Sequence, residues 1–318
     1  MTAPTPTPSM KAGELPRELT KSVRAVRMQF IDQVEPFRDD LFKYCRSLTG
    51  SVWDAEDLVQ ETLLRTFAKL GEVHWDVARP RPYLFAVATN AWTDRKRRDE
   101  PASLPESWDE TAPEVPARAE VREALLELAA ALPPQERAAL LLKDVFDFSL
   151  EDTARALRTT TGAVKAALHR GRARLGERSP LKQSKCLVSD ALVDRFIDAF
   201  NARDLDRLTA LFLEDATADV VGMVHEEGRE QIRNGSLHHT LMEEAGNSRA
   251  ERRVYRGETV IVLVYTKDGV TAVEDVLRFV ERQGALESLR YYYFCPELLA
   301  FVARELGLPV RTNGHRYR

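Results

Sequence analysis

Between Arg155 and Arg174 this chain carries basic side chains and no acidic one, although its formal net charge is −4. The surrounding segment, Ser149 to Leu175, is SLEDTARALRTTTGAVKAALHRGRARL. Ser149 followed by Asp152 is a capping pair that opens a helix by satisfying free amides. Ala154 and Leu157 give that helix an apolar face, and Thr159–Thr160–Thr161 interrupt it. A threonine hydroxyl there accepts from an early amide and starts a second helix, from about Gly162 to Leu175. Val164, Leu168 and Leu175 face inward at helical spacing, while Lys165, His169 and Arg172 share another face at i, i+4 and i+7. A helix, a polar turn and a basic second helix describe a helix-turn-helix, whose second helix enters the DNA major groove. Charge alone would suit an ordinary helix pair with a solvated basic face; the two-helix pattern favours DNA.

At 318 residues the chain is long enough for two or three domains. A slightly acidic balance argues against indiscriminate coating of nucleic acid and allows local basic patches. The three scattered cysteines, Cys45, Cys186 and Cys295, make neither a disulfide framework nor a metal cluster, so a reducing cytoplasm fits. No apolar run reaches the roughly 18 residues a membrane span needs, and no membrane partner is expected. The Thr/Pro-rich start, MTAPTPTPSMKAGELP, lacks the apolar core of a signal peptide and reads as a disordered tail. No cofactor and no metal is expected.

The first folded segment reads as all-helical. Phe30 to Leu48 carries apolar residues near helix spacing, with Pro36 as a kink or a helix start and Gly50-Ser51 as its end. In DAEDLVQETLLRTFAKL, Leu58, Val59, Leu63, Phe67 and Leu70 form one stripe, and Asp54, Asp57 and Glu61 another. Standing alone, that acidic row is a solvated face. After Pro80 and Pro82, PYLFAVATNAWTDRKRR makes a helix with an apolar, aromatic first half and a basic end. The macrodipole favours such an end, and aromatics beside basic residues also suit single-stranded DNA. Trp92 reads as packed inside rather than stacked on a base. The segment 99–118 is rich in Pro, Ser and acids and reads as a linker. VREALLELAAAL and QERAALLLKDVF then form helices beneath the helix-turn-helix, and the polar GERSPLKQSK is a second linker.

TTTGAVKAALHRGRARL resembles the recognition helix of domain 4 in bacterial extracytoplasmic-function (group 4) sigma factors, and ALPPQERAALLLKDVFDFSLEDTARAL matches the rest of that domain. Arg158 stands where a turn glycine is usual, and Ala166-Ala167 where a Ser-Arg pair is common. If Ala167 faced DNA, one usual contact would be missing, so promoter preference does not carry over. DAEDLVQETLLRTF is similar to region 2.2, the helix that docks on the polymerase clamp. The resemblance implies that core RNA polymerase is contacted by Asp54, Asp57, Gln60 and Glu61. It implies that regions 2.3 and 2.4 open and read the −10 element through Asn90, Asp94, Arg95, Lys96, Arg97 and Arg98. It assigns the −35 element of promoter DNA to Arg155, Arg158, Thr160, Thr161, Lys165, His169, Arg170 and Arg172. Phosphate contacts make such binding salt-dependent.

The remainder reads as two helices, a strand (ATADVVG), a helix over Arg229 to Glu244, and three strand-like runs, TVIVLVYT, VTAVEDVLRFV and ALESLRYYYF. With its opening LVDRFIDAFNARDLDRLTALFLEDA, this order resembles the SnoaL-like cone-shaped α+β fold. That resemblance implies an apolar pocket in which Asp219 and His225 could converge, with His238 and His239 astride a helix surface. A regulatory domain that contacts the sigma domains, with or without an unidentified small ligand, is favoured over catalysis.

The expected fold class is therefore multidomain, with two all-α sigma domains followed by an α+β SnoaL-like domain. The expected division is a disordered tail over 1–25, domain 2 over 26–98, a linker over 99–118, domain 4 over 119–178 and a linker over 179–186. The SnoaL-like domain spans 187–294, and 295–318 adds a helix and a basic tail. The expected function is a sigma factor directing promoter-specific initiation. The alternatives are a DNA-binding regulator that does not engage polymerase and a fused SnoaL-like enzyme.

Overall fold

The computed structural model describes residues 17–70, 79–99, 125–126, 128–129, 132–175, 188–243, 248–312 and 314–315. The expected linkers over 99–118 and 179–186 lie outside these residues, save Asp99, which ends a helix. Among the described residues no helix is long and apolar enough to cross a membrane.

The first helix, α1, is Arg17–Val34, so the expected tail over 1–25 is too long. RELTKSV carries four good helix formers, Arg17, Glu18, Leu19 and Lys21, and no breaker after Pro16, and its polarity had concealed this. A short 3₁₀ turn at Glu35–Phe37 carries Pro36, where a missing amide costs least, and leads into α2, Arg38–Thr49. Gly50, at φ +78°, caps α2 in the left-handed region and donates to the Arg46 carbonyl at 2.8 Å. Two longer helices follow, α3 (Val52–Leu70) and α4 (Pro80–Asp99).

The second helical unit begins with α5, Pro134–Leu140, which continues as a wider turn over Leu141–Val145. Then come α6, Leu150–Ala156, and α7, Thr161–Arg174. Both expected caps are present: the Ser149 hydroxyl accepts from the Asp152 amide at 3.0 Å, and the Thr160 hydroxyl from Ala163 at 3.1 Å. This unit packs directly on the first. Arg79 forks onto Asp152 at 3.0 and 2.6 Å, and Arg137 donates to the Leu48 carbonyl at 2.6 Å. Arg81 reaches both Asp40 and the Phe146 carbonyl at 3.0 Å, lying over the Phe85 and Phe148 rings.

The C-terminal unit starts with α8 (Asp190–Asn201) and α9 (Leu205–Thr209). Strands β1 (Phe212–Val220) and β2 (Val224–Glu227) precede α10 (Arg229–Ile232), which runs on in wide turns to Glu243. Strands β3 (Ser248–Tyr255), β4 (Glu258–Lys267), β5 (Val270–Arg282) and β6 (Ala285–Tyr291) precede α11 (Pro296–Glu305). They make one six-stranded sheet in the order β2-β1-β6-β5-β4-β3, antiparallel except for the β1–β6 pair. The sequence pattern showed four of these strands. VHEE and SRAERRVY are short or heavily charged edge strands, so their alternation is weak. The chain after 295 is not a free tail either. Val310 bridges Val273, and Leu308 and Val310 pack on the core.

Alternation along β4 shows how the units join. Ile261 and Leu263 face the inner core with Phe196, Phe200 and Leu289. Val260, Val262 and Val264 face the other way, into a cluster that includes Trp53, Leu58, Leu298 and Val302. Trp53, in the first turn of α3, is only 6% exposed. Its indole donates to Glu258 at 3.1 Å, and its ring lies 5.0 Å from that of Tyr292 with the Arg278 guanidinium at 4.6 Å. The sheet thus has helices on both faces, one set of them from the N-terminal unit.

Trp53→Ala should cost about 3–5 kcal/mol, since it empties a fully packed aromatic site. A denaturant midpoint followed by circular dichroism measures it. Asp152 tests the contact between the helical units. Burial raises its carboxyl, but the bonds from Arg79 and Ser149 outweigh that and hold it below the usual 3.8. Its contribution is therefore present above 3.8 and lost as pH falls through the depressed value. Asp152→Asn should cost roughly 1–2 kcal/mol at pH 7, and its deficit should shrink towards zero in strong acid, read from melts across that range.

Candidate functional site

Three sets of side chains carry the expected chemistry, and the fold treats them differently. On the helix-turn-helix, Arg155, Arg158, Thr160, Thr161 and Lys165 are exposed around the turn and the start of α7. Arg158 adopts φ +50°, the left-handed conformation that explains why a glycine is usual there. The C-terminal half of α7 is neutralised from beneath. Arg172 forks onto Asp144 at 2.9 and 2.7 Å, and Arg170 and Arg174 both hold Glu136. His169 is half-buried. Arg170 and Arg172, expected on DNA, are thus drawn onto α5 by acids 34 and 28 residues upstream. Ala166 and Ala167 are buried, so neither position faces DNA.

Along α4, Asn90 is half-buried and Lys96 exposed. Arg95 is paired with Glu61, and Asp94 lies 3.7 Å from Arg65. Arg97 and Arg98 are in the helix, but their side chains lie outside the described residues. Trp92 is buried with the Arg137 guanidinium over its ring.

The acidic stripe of α3 is largely occupied. Asp54 is exposed. Asp57 accepts a fork from Arg290 of β6 at 3.1 and 2.6 Å. Gln60 donates to Glu56 at 2.6 Å and sits against Gly222, where a Cβ would stand 3.1 Å from the amide. Glu61 also pairs with Arg65 at 2.5 Å. Beneath the stripe Glu56 is buried, receiving Arg38 at 3.3 Å and the Cys295 thiol. Burial raises its carboxyl above the usual range despite Arg38 and Gln60.

Asp219 and His225 do meet, Nδ1 donating to Oδ1 at 2.5 Å, but not inside the cone. They are 39% and 52% exposed, on the β1–β2 hairpin facing α3. Strand alternation is the reason: Ala218 points inward, so Asp219 points out. The Asp219 carboxylate raises the His225 imidazole above its usual value. The cone itself holds a cavity of about 60 Å³, room for a few waters, lined by Ser236, His239, Ser248, Glu274, Asp275 and Tyr291. Glu274 and Asp275 went unnoticed in the sequence because they sit in an unbroken strand pattern. The inward position of Asp275, which accepts from the Tyr292 amide at 2.8 Å, is a register effect. Among the described residues no cluster of His, Cys, Asp and Glu could hold a metal.

Comparison with known proteins agrees with this layout. Residues 33–101 match Sigma-70 region 2, residues 122–175 match Sigma-70, region 4, and residues 193–285 match the SnoaL-like domain. ECF RNA polymerase sigma factor SigG of Mycobacterium tuberculosis is 36% identical over 225 residues, 60% of each chain. This chain thus spans less than two thirds of the length of SigG. ECF RNA polymerase sigma factor SigD of Mycobacterium bovis is 33% identical over 183 residues, covering 54% of this chain and 86% of SigD. The crystal structure of Mycobacterium tuberculosis SigJ, another such factor, aligns at 22% identity and TM-score 0.33 over 82% of this chain and 95% of that one. With both sigma regions in order and most of SigD covered, the chain belongs to the ECF RNA polymerase sigma factor family.

Proposed function

We propose that this chain binds core RNA polymerase and directs promoter-specific initiation, and that its own C-terminal domain restrains it by covering the polymerase-docking face of α3. The observation that carries this reading is the fork from Arg290 to Asp57. A basic polymerase side chain would need that carboxylate, and an arginine of the same chain already holds it. Gln60 is covered by the β1–β2 connection and Glu61 is paired with Arg95, which leaves Asp54 exposed.

Promoter duplex would be read by the exposed N-terminal half of α7, with Thr160, Thr161 and Lys165 nearest the bases and Arg155 and Arg158 on phosphates. The −10 segment would use Asn90 and the basic end of α4. The SnoaL-like domain serves as a regulator, since its Arg290 holds Asp57 of α3. The place of action is the cytoplasm, with the polymerase.

Transcription from a cognate promoter by purified core polymerase tests the reading. Arg290→Ala should raise core binding and initiation about fivefold, equivalent to ~1 kcal/mol, while Asp57→Ala should lower both. If Arg290→Ala lowers activity, the C-terminal domain assists rather than restrains. If no variant nor the parent binds core, the sigma reading fails and a polymerase-independent DNA-binding regulator takes its place. On the DNA side, Arg158→Gly should relieve the left-handed backbone and add about 1 kcal/mol of stability. The same change should weaken promoter binding and reduce its salt dependence by about one counterion, measured as Kd against salt.

A further inference from the structure

Besides the Trp53 contact, the N-terminal and C-terminal units share a buried contact made of charge. Arg38 opens α2 and Glu56 lies on α3; they are 5% and 0% exposed, and the Arg38 guanidinium donates to Glu56 at 3.3 Å. From the C-terminal unit, the Cys295 thiol also donates to Glu56. Glu297, in the first turn of α11, lies 3.8 Å from the Nε of Arg38. His315 stands against Glu297, its Nε2 donating to Oε1 at 2.8 Å, while its Nδ1 faces Glu35 of the N-terminal unit at 3.5 Å. Only 8% of the His315 side chain is exposed. Both ring nitrogens face carboxylates, and only the imidazolium has a donor on each. Burial raises the Glu297 carboxyl, but the bond from His315 and the charge of Arg38 outweigh it and hold it below its usual value.

A strap brings His315 there. β6 pairs with β5 only as far as Tyr291 opposite Leu277, so the start of β5 has an open edge on that side. The chain after α11 turns onto this edge. Val273 donates to the Pro309 carbonyl at 2.8 Å and accepts from the Arg311 amide at 2.7 Å, and Arg311 pairs with Glu274 at 3.0 Å. The strap is thus tied to its own sheet over 309–311 and meets the N-terminal unit at His315. A complete buried ion pair adds little net stability, but removing one partner is strongly unfavourable, because the other charge stays buried. With the strap lifted and the sheet still seated, Glu297 would be left beside a guanidinium nitrogen to which it makes no hydrogen bond. Strap and sheet therefore seat together or not at all.

We propose that Arg38, Glu56, Glu297 and His315 form a lock on the docked arrangement, closed by the strap: His315 in place holds the sheet on α2 and α3, and its withdrawal lets the C-terminal unit open away from them. The lock rests on this geometry alone; its bearing on polymerase rests on the function proposed above.

Cys295 reports the opening. It is fully buried against Glu56, and burial pushes its thiol well up, so it is inert while the lock is closed. Cys45, buried within α2, reports unfolding of the N-terminal unit itself. The full chain is labelled with N-ethylmaleimide and each cysteine is read by peptide mass spectrometry. In His315→Ala, Cys295 should react at least about tenfold faster than in the parent, with Cys45 unchanged. Glu35→Gln alters a half-exposed side chain outside the core and should speed Cys295 about threefold. Combined with His315→Ala it should add nothing, because both changes open one contact. Unchanged Cys295 in His315→Ala, Cys45 reacting faster in step with it, or fully additive effects of the two changes overturns the lock. In a second measurement His315→Ala should raise association with purified core polymerase. If Cys295 is freed and that association does not rise, the lock stands and its link to polymerase is overturned.

Discussion

The burial of Trp53 is the contact on which the arrangement of the whole chain depends. It lies in the first turn of α3, a helix whose other residues build the core of the N-terminal unit, and it is inserted against a sheet more than two hundred residues later. The tilted and edge-on stacking with Tyr292 and Tyr255, the Arg278 cation and the Glu258 acceptor fix its orientation as well as its depth. Once that end of α3 is seated, Asp57 one turn further on comes within reach of Arg290, and Gln60 after it meets Gly222. A surface ion pair alone is worth little. Here the apolar contact supplies the free energy, and the charged pair selects which face of α3 is covered.

The two basic helix ends obey the same accounting of charge. In α7, Glu136 and Asp144 hold three arginines, so the C-terminal half is anchored to α5 while the N-terminal half stays open. That division suits a helix whose first turns enter a groove. In α4, Glu61 takes Arg95, which links the candidate −10 surface to the candidate polymerase surface through one carboxylate. Freeing Glu61 for another partner therefore also frees Arg95.

Much of this was legible in the sequence, for definite reasons. The caps at Ser149 and Thr160 are local, so spacing alone reveals them. VIVLVY, within TVIVLVYT, is an unbroken run of apolar and aromatic residues rather than an alternating one, the pattern of a strand covered on both faces. What covers the second face was not legible, because the covering residue is Trp53 in another unit. The same limit applies to Arg290 and Asp57, 233 positions apart, and to Arg170 and Arg172, whose partners lie a helix away. The edge strands β2 and β3 were missed because sheet edges are kept polar. Asp219 and His225, candidates for the pocket of the cone, lie on its outside instead, since a shift of one residue in a strand moves a side chain to the opposite face.

If the chain acts on a promoter as proposed, the packed units also constrain how it must do so. Elements centred near −10 and −35 are about 25 base pairs apart, roughly 85 Å along B-DNA at 3.4 Å per step. Side chains of α4 and its approach touch those of α6 directly, Arg79 to Asp152 at 2.6 Å, so the two reading surfaces cannot span that distance as they stand. Under the proposed function, engagement must separate the helical units as well as lift the sheet from α3. The contacts that resist separation combine guanidinium forks, such as that of Arg79, which is 62% exposed, with buried rings, Phe146 packing on Tyr44 and both Phe146 and Phe148 on Phe85. Phosphates and polymerase carboxylates can replace the forks in kind, but not the ring contacts. The Trp53 site has no such substitute in solution either, so both separations expose buried aromatic surface, and under the proposed function the seating of Trp53 adds a second barrier at which control acts.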